Sequence, residues 1–420
     1  MSFQQGLSGL NATAKNLDVI GNNIANSNTY GAKSARAEFA DVYSAALSGA
    51  GTSAVGIGVN LASVSQQFTQ GTITTTENPL DLAINGGGFF QVTDGQSPIG
   101  YTRNGQFKVD REGYIVNNNQ QRLVGYTADG TGTILPGASQ AIQLPTGGIE
   151  PQPTSRIDID FNLDSRLAVT LPVAGAQIDF QDPTTFNNAT SLTVYDDKGQ
   201  DVALTYYFQK AANDTWNVYV TANGDTINGT NAAPLPVTQV VFAADGSAPT
   251  APVGPVALNI PASTNAAGAE TLPISGIEFD LSSATQFGTG FGVTSLSQDG
   301  YAPGVLTSIS IEGNGVITAR YSNGQSKPAA QIEIATFRNL QGLQPLGDNQ
   351  WGRTFTSGEP ILGVPGDGIL GLLQSGALEE SNVDLTAELV NMITAQRTYQ
   401  ANAQTIKTQD QVLQTLVNLR

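Results

Sequence analysis

Hydrophobic residues near the start of the chain recur at alternating steps of four and three positions. The apolar members of this series are Phe3, Leu7, Leu10, Ala14, Leu17 and Ile24, and Gly21 takes the remaining position. Because this spacing follows the turn of an α-helix, the series lines one helical face as a seam. The pattern predicts an N-terminal helix over residues 1–30.

The same spacing returns at the other end of the chain. Its apolar positions are Leu385, Leu389, Met392, Tyr399, Ala403, Ile406, Leu413 and Val417, and Gln396 and Asp410 complete the series. Asp384 stands where a side chain can cap the first free N–H groups of a helix, and Glu388 suits the positive end of the helix dipole. We predict a C-terminal helix over residues 385–420, about 52 Å long at 1.5 Å per residue.

Two such helices can pair with each other and still leave apolar side chains uncovered. Ile20, Ile393 and Leu416 lie off the two seams. A single amphipathic helix ordinarily packs on the body of its own monomer. Because two heptad stretches are present, burial against neighbouring subunits is favoured, and we expect the helices to form a coiled-coil core.

The residues between the helices predict β-structure. Residues 156–163 alternate between apolar and polar side chains, as a half-buried strand does. Residues 192–195 and 202–208 flank a polar turn at residues 196–199, which is a hairpin signal. All prolines lie between Pro79 and Pro365, so turns are concentrated in this middle part.

These patterns predict an α+β multidomain chain. Long terminal α-helices would form a coiled-coil inner core, and two outward, mainly-β domains would be inserted between them. We expect the β-rich residues 71–365 to fold without the helices. The predicted boundaries are 1–30 for the N-terminal core helix, 31–70 for a linker, 71–150 for the first part of an inner β domain, 151–300 for an outer β domain, 301–365 for the second part of the inner domain, 366–384 for a linker and 385–420 for the C-terminal core helix.

The composition excludes most familiar catalytic chemistry. The 420 residues contain no His and no Cys, so Ser-His-Asp and Cys-His nucleophiles, His or Cys metal sites and disulfides are ruled out. Lys and Arg total 18 against 35 Asp and Glu, a net charge of −17, which does not suit nucleic acid. The sequence also lacks a membrane-spanning apolar run and, at its start, the features of a cleaved signal peptide. Secretion would therefore need another export route.

Two motifs suggest ligand chemistry and are better explained as structure. Residues 366–371 match a dinucleotide fingerprint by letter but follow a proline instead of a strand, so we interpret them as a turn. The acids at residues 158–164 lack the glycine and the final acid of a calcium loop. A pair of glycosidase carboxylates has no fixed spacing, so a secreted β-rich carbohydrate-active protein remains a remote alternative. We predict no catalytic, cofactor-binding or metal-binding residue, and no enzyme activity.

Both ends of the chain resemble one protein family. The motif residues are Asn22, Asn23, Asn26, Asn28, Thr29 and Gly31 near the start, and Asn382, Asp384, Gln396, Arg397 and Asn402 near the end. In this order they are typical of the axial proteins of the bacterial flagellum, which include rod, hook and hook-filament junction proteins. One departure is Ala32, where the family usually has an aromatic residue before Lys33.

The middle of the chain is most similar to the hook members of that family. Residues 78–90 and 101–105 resemble the inner β domain of rods and hooks, and residues 192–196 and 204–208 resemble the outer β domain of hooks. The resemblance implies a homopolymer that forms a flexible curved tube and transmits torque as a universal joint. It also implies rod, junction and hook-cap proteins and the type III export apparatus as partners, an extracellular location and no membrane insertion. A distal rod or junction protein is the nearer alternative.

Overall fold

The computed structural model describes residues 2–42, 56–137, 139–170 and 178–418. Two compact units contain all of these residues. The first comprises residues 1–146, 307–320 and 326–420, and the second comprises residues 147–306 and 321–325. The described chain has far more residues in strands than in helices, with one long helix near each end.

The two helices belong to the first unit. Helix α1 is Ser2–Ala25 and helix α2 is Leu385–Asn418. Neither contains proline, which would break a helix interior. Asp384 caps α2 as its position predicts, because its Oδ1 accepts hydrogen bonds from the N–H groups of Thr386 at 2.9 Å and Ala387 at 3.1 Å.

The strands of the first unit lie on both sides of the second unit in sequence. Before it they are β1 (Ala35–Val42), β2 (Gly58–Gln66), β3 (Ile73–Thr75), β4 (Leu82–Asn85), β5 (Phe89–Thr93), β6 (Gly100–Thr102), β7 (Lys108–Val109), β8 (Ile115–Val116), β9 (Arg122–Thr127) and β10 (Gln140–Ala141). Strands β5 to β10 belong to one large sheet, which is completed by strands from the far side of the second unit.

In its described residues, the second unit contains twelve strands, most of them in two main sheets. They are β11 (Arg156–Asn162), β12 (Asn188–Tyr195), β13 (Asp201–Ala212), β14 (Thr215–Ala222), β15 (Asp225–Thr226), β16 (Gly229–Thr230), β17 (Ala233–Pro234), β18 (Thr238–Phe242), β19 (Pro249–Ala251), β20 (Val256–Ile260), β21 (Ile274–Asp280) and β22 (Gly292–Gln298). One sheet has the order β20-β21-β11-β22 and the other β12-β13-β14-β18-β19. Both supply residues to a single hydrophobic core, in which Phe161, Trp216 and Phe279 are at most 2% exposed.

The remaining strands return to the first unit. They are β23 (Leu306–Ile311), β24 (Val316–Tyr321), β25 (Ser326–Ile332), β26 (Ile334–Thr336), β27 (Gln344–Gly347), β28 (Gln350–Gly352), β29 (Ile361–Gly363), β30 (Leu372–Ser375) and β31 (Ala377–Glu379), with a 3₁₀ turn at Leu340–Gly342. The large sheet runs in the order β23-β24-β25-β9-β5-β6-β28-β27. Phe90, Ile115, Leu123 and Ile332 are fully buried in its core.

Two predicted strand patterns are confirmed. β11 buries Ile157, Ile159 and Phe161 and leaves Asp158 and Asp160 half-buried, as the alternation predicts. β12 and β13 pair antiparallel around the turn at residues 196–199. Residues 366–371 form a turn that is closed by hydrogen bonds such as that from the N–H of Gly366 to the carbonyl of Gly371 at 3.0 Å.

The two segments predicted as linkers are more ordered than a linker. Residues 31–70 contain the antiparallel pair β1–β2. Residues 43–55, between the two strands, lie outside the described part. Residues 366–384 contain β30, which pairs with β4, and β31, which pairs with β3. That residues 71–365 fold without the helices stays a prediction, and these pairings favour a boundary beyond residue 365. Its short strands β3 and β4 need partners that come from beyond residue 365.

Candidate assembly surface

Helices α1 and α2 pair side by side in opposite directions. A Cβ added to Gly6 would lie 3.1 Å from Ile406 Cγ1, and one added to Gly9 would lie 2.9 Å from Asn402 Nδ2. At the other end of the pair, Asn23 Nδ2 donates to Glu388 Oε1 at 3.1 Å. The close approach at both glycines is possible because they have no side chain.

The face of α1 that packs inward is not the predicted apolar seam. The most buried residues of α1 are Gly6, Thr13, Ile20 and Asn23, with Gly9 half-buried among them. Each of these residues lies one position before a member of the predicted series. Gly6, Gly9, Thr13 and Asn23 precede apolar seam residues, and Ile20 precedes Gly21. One residue turns an α-helix by about 100°. The predicted seam therefore faces sideways, where Phe3 is 46% and Leu7 is 45% exposed, and Leu10, Ala14, Leu17 and Ile24 are half-buried.

Helix α2 shows the same displacement except at Ile406, a predicted seam residue that packs on Gly6. Three residues of α2 approach α1 or line the space beside it: Glu388, Ala395 and Asn402. Each of them lies one position before a member of the predicted series. Among the predicted residues, Leu385, Leu389, Tyr399 and Leu413 are exposed, whereas Met392, Ala403 and Ile406 are half-buried. Val417 lies in α2, but its side chain is outside the described part, as is that of Leu416.

This arrangement corrects one expectation about the helix pair. Ile20 was expected to remain uncovered, yet it is only 5% exposed. Ile20 belongs to the inward face of α1. The apolar spacing did not predict this, because the other residues of that face are small or polar and carry little hydrophobic signal. Ile393 is 52% exposed, as expected. The exposed residues of the two predicted series form one stripe on each helix, and we call them the apolar stripes: Phe3 and Leu7 on α1, and Leu385, Leu389, Tyr399 and Leu413 on α2.

The β1–β2 pair packs against α1 and fixes its direction. Asn23 exchanges two hydrogen bonds of 2.8 Å with the main chain of Ala35 at the start of β1. Ser8 Oγ accepts a hydrogen bond from the N–H of Val59 at 3.3 Å, and Gln5 Nε2 donates to the carbonyl of Gly56 at 2.6 Å. Side-chain amides and a hydroxyl thus satisfy main-chain groups beside the helix.

Several motif residues form the turn that leaves α1. Asn26 Nδ2 donates to the carbonyl of Asn22 at 2.9 Å, and the N–H of Thr29 donates to the carbonyl of Asn26 at 3.1 Å. Asn28 is exposed. Gly31 has φ +71° and a Cβ there would lie 2.5 Å from the main-chain nitrogen of Asn104, so only glycine fits.

The motif residues before and within α2 have different surroundings. Asn382 Oδ1 accepts from the N–H of Ser34 at 2.7 Å, and its Nδ2 donates to the carbonyl of Gln67 at 2.7 Å, so it joins the two ends of the β1–β2 segment. Gln396 and Arg397 are exposed on α2. Ala32, where the family usually has an aromatic residue, is 4% exposed and lines a cavity of about 320 Å³ with Trp351.

A buried ion cluster joins the bases of the two helices to the large sheet. Lys33 Nζ lies 2.6 Å from Glu379 Oε1, and Arg103 Nη1 lies 3.0 Å from Glu379 Oε2. The side chains of Lys33 and Glu379 are fully buried, and that of Arg103 is 5% exposed. Burial lowers the pKa of Lys33, while the charge of Glu379 acts in the opposite direction.

Further hydrogen bonds complete this cluster. Lys33 Nζ also donates to the carbonyl of Thr69 at 2.7 Å, and the N–H of Gly71 donates to Glu379 Oε1 at 2.9 Å. Arg103 Nη2 donates to the carbonyl of Gly86 at 2.8 Å. Sequence reasoning did not find Arg103 or Glu379 as partners, because nothing in the spacing of three distant charged residues shows that they meet.

Within the described ranges no group of three or more acidic residues could hold a metal ion. None of the helices in that part of the chain is long and apolar enough to cross a membrane. The two helices carry several exposed apolar side chains, among them Phe3, Leu7 and Leu389.

Family comparisons cover both units and both helices. Residues 83–165 match the flagellar hook protein FlgE/F/G D1 domain, and residues 162–301 match the flagellar basal body protein FlaE D2 domain. Residues 3–33 match the flagella basal body rod protein family, and residues 374–419 match the flagellar basal body rod FlgEFG protein C-terminal family.

Whole-chain relatives decide the identity. The flagellar hook protein FlgE of Escherichia coli is 43% identical over 424 residues, covering 100% of both chains. The chain belongs to the FlgE family of flagellar hook proteins. FlgE of Borreliella burgdorferi is 34% identical and covers 100% of this chain and 99% of its own, and FlgE of Rhizobium meliloti is 32% identical and covers 100% and 98%.

A solved structure shares the fold of this FlgE-family chain. The crystal structure of the Helicobacter pylori flagellar hook protein FlgE2 has a TM-score of 0.50 and 16% identity, and the match covers 73% of this chain and 99% of that chain. The family membership makes this chain a structural subunit of the bacterial flagellar hook.

Proposed function

We propose that the apolar stripes are the contacts through which copies of this chain polymerise into a flexible curved tube. The observation that carries the proposal is the exposure of Phe3, Leu7, Leu389 and Leu413 beside a helix pair that is already closed on its inward face. Burial of such side chains contributes about 1.5–3 kcal/mol each when complete. Repeated in every subunit, this makes a coiled-coil core of terminal helices the main source of cohesion.

The two β units would extend outward from this core as inner and outer domains. Their division at residues 146–147 and 306–307 supports the predicted domain order, in which an outer insert interrupts an inner domain. Only 13% of the chain is charged and the net charge is −17. A polar surface without a large apolar contact lets the β domains of neighbouring subunits slide past each other. A firm core with loose outer contacts suits a universal joint that carries torque from rod to filament.

This role also defines the expected partners and route. Besides its own copies, the chain would contact rod proteins, hook-filament junction proteins, the hook cap and the type III export apparatus. Export would occur through that apparatus, and the work of the protein would be mechanical, without catalysis. The motif residues Asn22, Asn23, Asn26, Asn28, Thr29, Gly31, Asn382, Asp384, Gln396, Arg397 and Asn402 would shape the core segment.

Electron microscopy of assemblies grown from the purified full-length chain tests this proposal. We expect short curved tubes whose curvature changes between images. Straight rigid rods would contradict the universal-joint role, and a chain that stays monomeric at high concentration and salt would contradict polymerisation itself.

A further inference from the structure

The buried ion cluster contains more positive than negative charge. Its members are Lys33, Arg103 and Glu379, and among the described residues no second carboxylate forms an ion pair with either cation. Arg103 is only 5% exposed. A buried charge without a counter-charge is costly to the folded state. One further anion would balance the cluster.

Arg103 also keeps hydrogen-bond donors for another acceptor. A guanidinium has five N–H groups. Nη1 donates to Glu379 Oε2 at 3.0 Å and to the carbonyl of Ile84 at 3.4 Å, and Nη2 donates to the carbonyl of Gly86 at 2.8 Å. The Nε–H has no partner in the described part of the chain, and Nη2 has a second N–H. The ring of Phe89, 5.4 Å from Cζ, helps to hold the guanidinium in place.

A cavity of about 230 Å³ lies beside Arg103. Arg103 is the charged member of its lining, and none of the described residues around it is acidic. Gln70 and Thr336 add an amide and a hydroxyl, which can both donate hydrogen bonds. The rest of the lining is apolar side chain and glycine main chain: Phe68, Gly86, Gly87, Gly88, Phe89 and Leu340. Because Gln70, Gly86 and Gly87 are exposed, solvent reaches this space, which we call the arginine cavity.

We propose that the arginine cavity binds a short aliphatic carboxylate, which supplies the missing negative charge of the cluster. A planar guanidinium matches a carboxylate in shape and charge, and hydrogen bonds between the two are strong. The side chains of Phe68, Phe89 and Leu340 would surround the aliphatic part. All of these residues belong to the first unit of a single chain, so the site does not require polymerisation.

Binding would strengthen the connection between the helices and the large sheet, because the cluster joins the turn after α1 and the strand before α2 to that sheet. Burial lowers the pKa of Lys33, and the charge of Arg103 acts in the same direction. A carboxylate beside Arg103 would offset the repulsion between the two cations. The folded chain would therefore be more stable with the ligand than without it.

Urea unfolding of the full-length chain measures this stabilisation. We expect the midpoint to rise with the concentration of sodium butyrate, and to rise less in sodium chloride of equal ionic strength. Thr336→Val removes the hydroxyl at nearly constant size and should weaken butyrate binding about tenfold. The matched control is Thr221→Val, which removes a buried hydroxyl from β14 in the second unit and should leave the butyrate effect unchanged.

Two outcomes of that experiment would overturn the proposal. Equal midpoints in butyrate and in chloride would mean that salt acts only by screening. A butyrate effect that is as large in Thr336→Val as in Thr221→Val would place the ligand outside the arginine cavity.

The nuclear magnetic resonance signal of the Arg103 Nε–H locates the ligand directly. Butyrate should shift this signal until the site is saturated, whereas screening would shift it in proportion to the salt concentration. Leu340→Trp fills the cavity and should abolish the saturable shift, and Thr336→Val provides the same comparison if Leu340→Trp does not fold. A shift that does not saturate, or that is the same in both variants as in the unsubstituted chain, would contradict binding at Arg103.

Ligands of different chemistry test the proposed class. Butyrate should bind at least about tenfold more tightly than formate, because its additional carbon atoms leave water for the apolar wall. Inorganic phosphate that binds as tightly as butyrate would contradict the assignment of an aliphatic carboxylate.

Discussion

Lys33 Nζ donates a hydrogen bond of 2.6 Å to Glu379 Oε1 although 346 positions of sequence separate the two residues. Arg103 binds the other oxygen of the same carboxylate at 3.0 Å. The three side chains come from the turn after α1, from β31 and from the segment after β6. This buried cluster therefore ties the turn after α1 and the strand that precedes α2 to the edge of the large sheet next to β6.

Removal of the shared carboxylate should be strongly destabilising. Glu379→Ala leaves two buried cations without their partner, and loss of one member of a buried ion pair costs about 3–5 kcal/mol. The midpoint of urea unfolding of the full-length chain measures the effect. Glu359→Ala, which breaks the exposed pair with Arg353, should leave the midpoint unchanged. Equal midpoints for the two variants would show that the cluster does not hold the fold.

A fragment that ends after β31 should be more stable than one that ends at residue 365. Residues 71–380 retain β30 and β31, whose Leu373 and Leu378 are 5% and 2% exposed. Each such side chain contributes about 1.5–3 kcal/mol by burial. Thermal unfolding of the two purified fragments measures the difference. A fragment of residues 71–365 that unfolds at the same temperature would mean that the two strands add nothing.

Asp164 should make the second unit sensitive to acid. Hydrogen bonds from the Arg166 side chain and N–H lower the pKa of Asp164 from 3.8 to about 2. Because the folded pKa is depressed, the charged carboxylate stabilises the fold above pH 3.8, and this contribution is lost as the pH falls toward 2. Asp164→Asn should lower the unfolding midpoint at pH 5, and the difference from the unsubstituted chain should shrink by pH 2. A difference that stays constant over this range would contradict the assignment.

Ile406→Asp should prevent assembly without melting the β units. The Ile406 side chain packs on Gly6, so the variant places a carboxylate in the contact between the helices, at a cost of about 1–3 kcal/mol per subunit. Sedimentation measures assembly, and the thermal transition of the full-length chain reports on the β units. Thr408→Asp, at an exposed position of the same helix, should assemble normally. An Ile406→Asp chain that forms hooks of normal length would show that this contact is dispensable.

Local signals predicted the parts of the fold that depend on neighbours in sequence. The cap at Asp384, the alternation in β11 and the hairpin between β12 and β13 each depend on a few adjacent residues, and each was found. The inward faces of the helices were missed, because Gly6, Gly9 and Asn402 pack by being small or by hydrogen bonding and carry no apolar signal.

Long-range partners were also beyond the sequence pattern. β31 is three residues long and pairs with β3 from the other end of the chain, so neither strand has a period of its own to detect. The charged residues of the buried cluster look like ordinary surface charges in sequence. Only the folded chain shows that Lys33 and Glu379 meet and that the apolar stripes remain open once the helices have paired.

The most direct test of the account is the assembly of a stripe variant. Leu7→Asp combined with Leu389→Asp changes one exposed residue in each apolar stripe, and Asn11→Asp combined with Gln400→Asp makes the same charge change at exposed positions off the stripes. Electron microscopy and sedimentation of the two purified chains give the comparison. We predict that the stripe variant stays monomeric with an unchanged thermal transition, while the control forms curved tubes. Curved tubes from the stripe variant would contradict the claim that these stripes hold the hook together.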